Sequence, residues 1–189
     1  MAEKQFQTFQ LDTPLQLLLK LAWGVKELRA SMRSPDEAGE FFPTVYKAFD
    51  CAITAWHMAD WVWAKIEDKD AVLKKVPSQY AKRQHFAQFQ ALLCHENKYI
   101  RICRHIADSN KHFGVDHRPD PNLKVSVDWT VKSIFAAGTA VGRPLVDRSY
   151  QLIVNDSGEQ YEALEVMIGA LEYWANELGE TAVLQLLDD

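Results

Sequence analysis

The sequence predicts a mainly α-helical fold: a bundle of four to five helices with a small β-hairpin or meander inserted before the C-terminal helix. Three observations predict it. Apolar residues recur at helical spacing over residues 11–32, 44–68, 79–94, 96–113 and 161–179,. Residues 125–131 alternate apolar and polar with strand period,. The early connections are short, which favours antiparallel neighbours. The chain reads as a single domain, with 1–114 and 160–189 forming the bundle and 115–159 a loop and β insertion.

The first helix opens at Thr13-Pro14, a capping residue followed by proline at the first helical position,. Leu15, Leu18, Leu19, Ala22, Val25 and Met32 supply its stripe, and Gly24 allows close helix packing. Ser34, Pro35, Asp36 and Gly39 then break the chain,. The second helix is apolar nearly all round, through Val45, Phe49, Ile53, Trp56, Met58, Trp61, Val62, Trp63 and Ile66, so it is expected in the middle of the bundle,. Its tryptophans are expected in the core. Pro77-Ser78 opens a third helix with Phe86, Phe89 and Leu93 inward, and Gly114 ends a fourth. Val125, Val127, Trp129 and Val131 form one strand, residues 150–154 a second, and Asn155–Gly158 a turn,. Leu164, Met167, Ile168, Leu171 and Trp174 stripe the last long helix, and 182–187 form a short terminal turn.

At 189 residues, 48% hydrophobic and 25% charged, the chain can bury a core without disulfides or metal,. No run of about 18 apolar residues occurs, so no membrane association is expected. The polar start, 1–10, has no apolar core of a secretory signal,. Cys51, Cys94 and Cys103 form no paired motif, and a cytoplasmic location is the simplest expectation,. Phosphate-loop, nucleophile-elbow and dinucleotide glycine motifs are all missing, and no cofactor is expected,.

The net charge of −5 argues against a generally basic nucleic-acid binder. Its distribution is uneven: residues 74–118 carry nine basic and three acidic residues and five of the six histidines, while 147–189 carry one basic and ten acidic residues. Such blocks predict either mutually neutralising surfaces or a local positive field for a phosphate-bearing partner.

The segment 95–117 is the richest. On a helical wheel Asn97, Arg101, His105, Asp108 and His112 fall within about 80°, opposite Tyr99, Ile102, Ile106 and Phe113,. Three readings fit. One is a solvated helix face with weak i,i+3 and i,i+4 pairs. Another is a phosphate or RNA site: Arg101, Arg104 and Lys111 hold phosphate, His105 or His112 moves protons, and Asn97, Asp108 and Asn110 are further binding candidates. The third is a metal-dependent site, with His105, Asp108 and His112 at i, i+3, i+7 and His57 with Asp60 as additional ligands; no recognised motif supports it and the neighbouring cations oppose it. On the second helix Asp50, Thr54, His57 and Trp61 form a narrow polar seam,. His57 is expected there as a core histidine held by a carboxylate; alternatively His57, Asp60 and Asp50 orient His112 from behind.

The helix AITAWHMADWVW followed by the helix end ADSNKHF resembles uncharacterised bacterial helical proteins that are similar in outline to the HEPN superfamily, over residues 44–114. The resemblance implies a helical bundle, commonly a homodimer, that binds or cleaves RNA without metal in stress, toxin–antitoxin or phage-defence settings. It places His112 at the family's histidine. Active members carry an arginine four to six positions before that histidine; here Arg104 precedes His112 by eight, with seven residues between. The alternative expectation is a non-enzymatic interaction module whose basic 74–118 block docks an acidic protein partner.

Overall fold

The computed structural model describes residues 11–33, 41–111, 120–133 and 146–188. The elements run α1 (Pro14–Arg33), α2 (Phe41–Lys65), α3 (Lys69–Leu73), a 3₁₀ turn (Ser78–Tyr80), α4 (His85–Glu96), α5 (Lys98–Lys111), β1 (Leu123–Ser133), β2 (Val146–Asp156), β3 (Glu159–Glu162), α6 (Ala163–Leu178) and a 3₁₀ segment (Thr181–Leu187). The fold is mainly helical with a small antiparallel sheet before the last α-helix.

Helix α1 starts with a reciprocal cap. Thr13 Oγ1 accepts from the Gln16 N–H (3.3 Å), and Gln16 Oε1 accepts from the Thr13 N–H (3.1 Å) and the Asp12 N–H (2.8 Å),. Its stripe of Leu18, Leu21, Ala22, Val25 and Leu28 is fully buried. A Cβ at Gly24 would stand 3.1 Å from Cys51 Sγ, so the glycine lets α1 and α2 approach closely, as its position suggested,.

Helix α2 departs from expectation. Ala48, Cys51, Ala52, Ala55, Trp56, Met58 and Ala59 are buried, but Asp50, His57 and Asp60 face solvent. His57 is not a core histidine. The all-round apolar pattern misleads because Trp61 and Trp63 end only half-buried. Trp63 is covered by Phe89 (5.2 Å between rings) and by the Lys69 ammonium (5.2 Å) rather than by a surrounding core,. Within the polar seam only Thr54 is buried, accepting from Lys20 Nζ at 2.6 Å.

The third predicted helix is also divided. Pro77 and Ser78 open a 3₁₀ turn, and α4 begins only at His85. Gln88, buried on α4, donates its side-chain amide to the carbonyls of Ala81 (3.1 Å) and Arg83 (2.7 Å), which holds the chain in a turn. Helices α4 and α5 are separate, because Asn97 between them is extended (φ −136°, ψ 118°).

The sheet is a meander in the order β1-β2-β3. Val125 pairs with Val154, Val127 with Leu152, and Val154 with Tyr161, so one face carries the apolar side chains toward the helices,. The β2–β3 turn uses Ser157 (φ 56°) and Gly158 (φ 93°), with Asn155 Oδ1 accepting from the Gly158 N–H at 3.2 Å.

Helix α6 closes the bundle on α1, α2 and α5. Ala163, Val166, Met167, Ala170, Leu171, Trp174 and Ala175 are buried. A Cβ at Gly169 would sit 2.3 Å from Tyr99 Cδ2, so the Tyr99 ring of α5 lies directly against this glycine. Gly179 (φ +70°) ends the helix, and the Glu180 N–H bonds back to the Ala175 carbonyl at 2.8 Å,. No helix among the described residues is long and apolar enough to cross a membrane. The expected break at Ser34–Gly39 lies outside the described residues.

Candidate functional site

Helix α5 is strongly amphipathic, and the structure shows what each polar side chain meets. Asn97 caps it: Asn97 Oδ1 accepts from the N–H groups of Tyr99 (2.9 Å) and Ile100 (3.1 Å),. Its acceptor is thereby committed to the helix start. Ile100, Ile102, Cys103 and Ile106 bury the opposite face.

Arg101 is held by two carboxylates. Its Nη1 donates to Asp120 Oδ2 at 3.1 Å and its Nη2 to Asp156 Oδ2 at 2.5 Å. Asp120 leads into β1, and Asp156 is the last residue of β2, so one guanidinium ties the end of the sheet to α5. Burial opposes the charge on Arg101; the adjacent Asp156 and Asp120 outweigh that penalty and hold its pKa above the usual value,. Asp120 Oδ1 also accepts from the Asn122 N–H (3.0 Å), which fixes the turn into β1.

Arg104 is differently placed. Its guanidinium lies 5.5 Å from the Trp56 ring centroid and its Nη1 is 3.9 Å from Cys94 Sγ. Its only ion pair among the described residues is with Asp108, one turn on, at 3.7 Å. Both partners are partly exposed, so the pair contributes a few tenths of a kcal/mol,. His105 stands 3.7 Å from the Asp120 oxygen that Arg101 uses, too far for a hydrogen bond,. Burial and the neighbouring Arg104 lower its pKa, against the opposite pull of Asp120 and Asp108. The imidazole is therefore neutral near pH 7 and able to accept a proton.

These groups border a concavity of about 390 Å³ between the 78–83 turn, α4 and α5. Tyr80, Arg83, His95, Arg101, Arg104 and His105 line it, together with Ala91 and Cys94, and no carboxylate among the described residues does. Since Arg101 is already neutralised, the positive character comes from Arg104 and Arg83. Arg83 has no carboxylate within ion-pair distance among the described residues; it lies over the Tyr80 ring at 4.8 Å. The Cys94 thiol is pushed up by burial, partly offset by Arg104, and so remains protonated at neutral pH,. His105 also borders a second cavity of about 270 Å³, with Phe49, Ile106, Ser109, Asp120, Leu123 and Val125.

Of the predicted site residues, the structure brings Arg101, Arg104 and His105 to this concavity, with Asp108 beside Arg104. Asp50, His57 and Asp60 lie on the exposed side of α2 and make no ion pair or hydrogen bond with the α5 cluster among the described residues. His112 lies outside the described residues, as do the side chains of Asn110 and Lys111. Among the described residues no group of three His, Cys, Asp or Glu side chains converges as a metal site. Tyr80, Arg83, His95, Asp120 and Asp156 are additions that the helical wheel did not supply. Only the density of positive charge over 74–118 pointed to Arg83 and His95. The acidic C-terminal block meets the basic block inside the chain through Arg101–Asp156 and through Tyr161, which bridges Lys98 and Glu159.

No protein-family model, no curated protein and no solved structure matches the chain.

Proposed function

We propose that this protein binds RNA by its phosphate backbone in the concavity between the 78–83 turn, α4 and α5, with His105 as the proton acceptor when a bound phosphodiester is cleaved. The observation that carries the reading is the lining itself. Arg83, from the turn before α4, and His95, at the end of α4, face the same space as Arg104 and His105, and no carboxylate among the described residues shares that lining. A phosphate entering there replaces the weak Arg104–Asp108 pair and meets the exposed Arg83 guanidinium, and charge-assisted contacts to phosphate are the stronger type,. The likeness to HEPN proteins over residues 44–114 points the same way, toward metal-independent action on RNA in the cytoplasm.

Cleavage in this site follows from the ribose. Neutral His105 takes the proton of a 2′-hydroxyl, the 2′-oxygen attacks phosphorus, and the bond to the 5′-oxygen breaks. The products are a 2′,3′-cyclic phosphate and a 5′-hydroxyl. Arg104 offsets the charge that develops on the phosphoryl oxygens. The leaving 5′-oxygen takes its proton from water.

The test is incubation with labelled RNA in EDTA beside His105→Ala. The parent is expected to cleave and the variant to bind with unchanged affinity while losing at least 100-fold in rate. Because burial and Arg104 lower the pKa of His105, the acid-side fall in rate lies below the usual imidazole range,. Binding without cleavage by the parent reduces the function to RNA binding alone. Full cleavage by His105→Ala removes His105 from the chemistry.

A further inference from the structure

We propose that the Tyr80–Arg83 wall is a stacking platform for an unpaired nucleobase, so that the concavity takes single-stranded nucleotides in preference to duplex RNA or a bare phosphate. This inference rests on the RNA reading and specifies its substrate class. It starts from how the turn is built. The Tyr80 N–H bonds to the Pro77 carbonyl (2.9 Å), the Ala81 N–H to Ser78 (3.2 Å) and the Arg83 N–H to Tyr80 (3.0 Å). The buried Gln88 amide then fastens the Ala81 and Arg83 carbonyls to α4. A surface connection needs no buried amide to cross from α3 to α4; here that amide fixes the backbone on both sides of Lys82 and so sets where Tyr80 and Arg83 stand.

The platform has two planar groups. The Arg83 guanidinium carbon lies 4.8 Å from the Tyr80 ring centroid, a cation stacked on an aromatic face,. Arg83 is exposed and Tyr80 half-buried, and both border the concavity. Arg104, which also lines the concavity, lies 5.5 Å from the buried Trp56 ring centroid. The concavity thus carries both a π-rich pair and a phosphate-binding cation. Its volume of about 390 Å³ falls within the range of small-ligand sites, roughly 300–1,000 Å³,. A bare phosphate uses the cations and leaves the wall idle. A-form duplex keeps its bases stacked inside, and only an unpaired base reaches a recessed aromatic. A base on Tyr80, with its phosphate toward Arg83 and Arg104, uses both the ring and the cations.

Fluorescence anisotropy with three labelled 12-nucleotide probes tests this: a mixed-sequence single strand, the same strand in a blunt duplex, and an abasic ribose–phosphate strand. The full-length protein is expected to bind the single strand at least tenfold more tightly than the other two. Tyr80→Leu, which keeps bulk and removes the ring, is expected to weaken the single strand by roughly 5- to 100-fold, the worth of one base–aromatic stack. Abasic and duplex binding should change by less than twofold. Tyr80→Met, which also removes the ring, should shift the same ratio in the same direction; it carries the comparison if Tyr80→Leu melts abnormally. Equal affinity of the parent for the abasic and base-bearing strands overturns the platform and leaves the phosphate site standing. So does an equal loss on all three probes in Tyr80→Leu. Binding of none of the three overturns the RNA reading, and the platform with it.

Discussion

Arg101→Met is expected to destabilise the protein by about 2–4 kcal/mol, a loss of roughly 5–15 °C in melting temperature for a chain of this length. Arg101 and Asp156 have side-chain exposures of 29% and 7%, so the methionine leaves a nearly buried carboxylate without its counter-ion. Removing one partner of a fully buried pair costs about 3–5 kcal/mol, and the partial exposure of Arg101 reduces that figure. Asp120 loses its neighbour as well, and with it the turn into β1 is less firmly held. Arg101→Lys keeps the charge but cannot reach both carboxylates with one planar fork, so it should fall between parent and methionine. Adding Asp156→Asn to Arg101→Met should recover part of the loss. Thermal melts of the three variants check this. A methionine variant that melts with the parent contradicts the clamp and frees Arg101 to act as a ligand-binding group.

Trp174→Ala is expected to cost about 3–5 kcal/mol, the range for deleting a buried large aromatic side chain. Trp174 is fully buried on α6, packs edge-on against Tyr173 at 5.2 Å and donates its indole N–H to the Ala55 carbonyl of α2 at 2.8 Å. The ring fills the junction where α6 meets α2, and alanine leaves a cavity that the helices close only in part. A drop of roughly 6–20 °C in melting temperature is expected, against little change for Trp23→Ala, whose ring is 64% exposed,. A Trp174→Ala protein melting within about 2 °C of the parent contradicts the placement of α6 in the core.

The sequence made the bundle legible where one physical signal dominated. The two-sided α5 and most of the α1 and α6 stripes mapped onto the buried and exposed faces found, whereas Leu19 of the expected α1 stripe and Val125 of the β1 alternation are exposed. The errors have physical causes. Helix α2 reads as buried all round because Trp61 and Trp63 count as apolar, whereas a tryptophan can end half in water; His57 and Asp60 were drawn inward by that count. The 3₁₀ turn before α4 could not be told from a helix start, because the group that stops the helix is the amide of Gln88, a residue of α4 itself.

The candidate site was half legible. A wheel gathers Asn97, Arg101, His105 and Asp108, since they share one helix, with Arg104 off to the side. It says nothing of Asp120 and Asp156, which lie 19 and 55 residues from Arg101 and convert it from a phosphate candidate into a structural tie. Nor can it place Arg83 and His95 across a gap from α5, because that juxtaposition is tertiary.

On the proposed function, Arg83 and Arg104 hold RNA phosphate in one concavity. The most direct measurement is a titration of a labelled 12-nucleotide single-stranded RNA in EDTA, at 50 and 200 mM salt, with the parent and with Arg83→Glu/Arg104→Glu. Two phosphate contacts predict that affinity falls roughly sevenfold between the two salts. The double variant is expected to lose at least 30-fold at the lower salt and most of its salt dependence, with the melting temperature within a few degrees of the parent. A folded double variant that binds the strand as tightly as the parent, with the same salt slope, contradicts the claim.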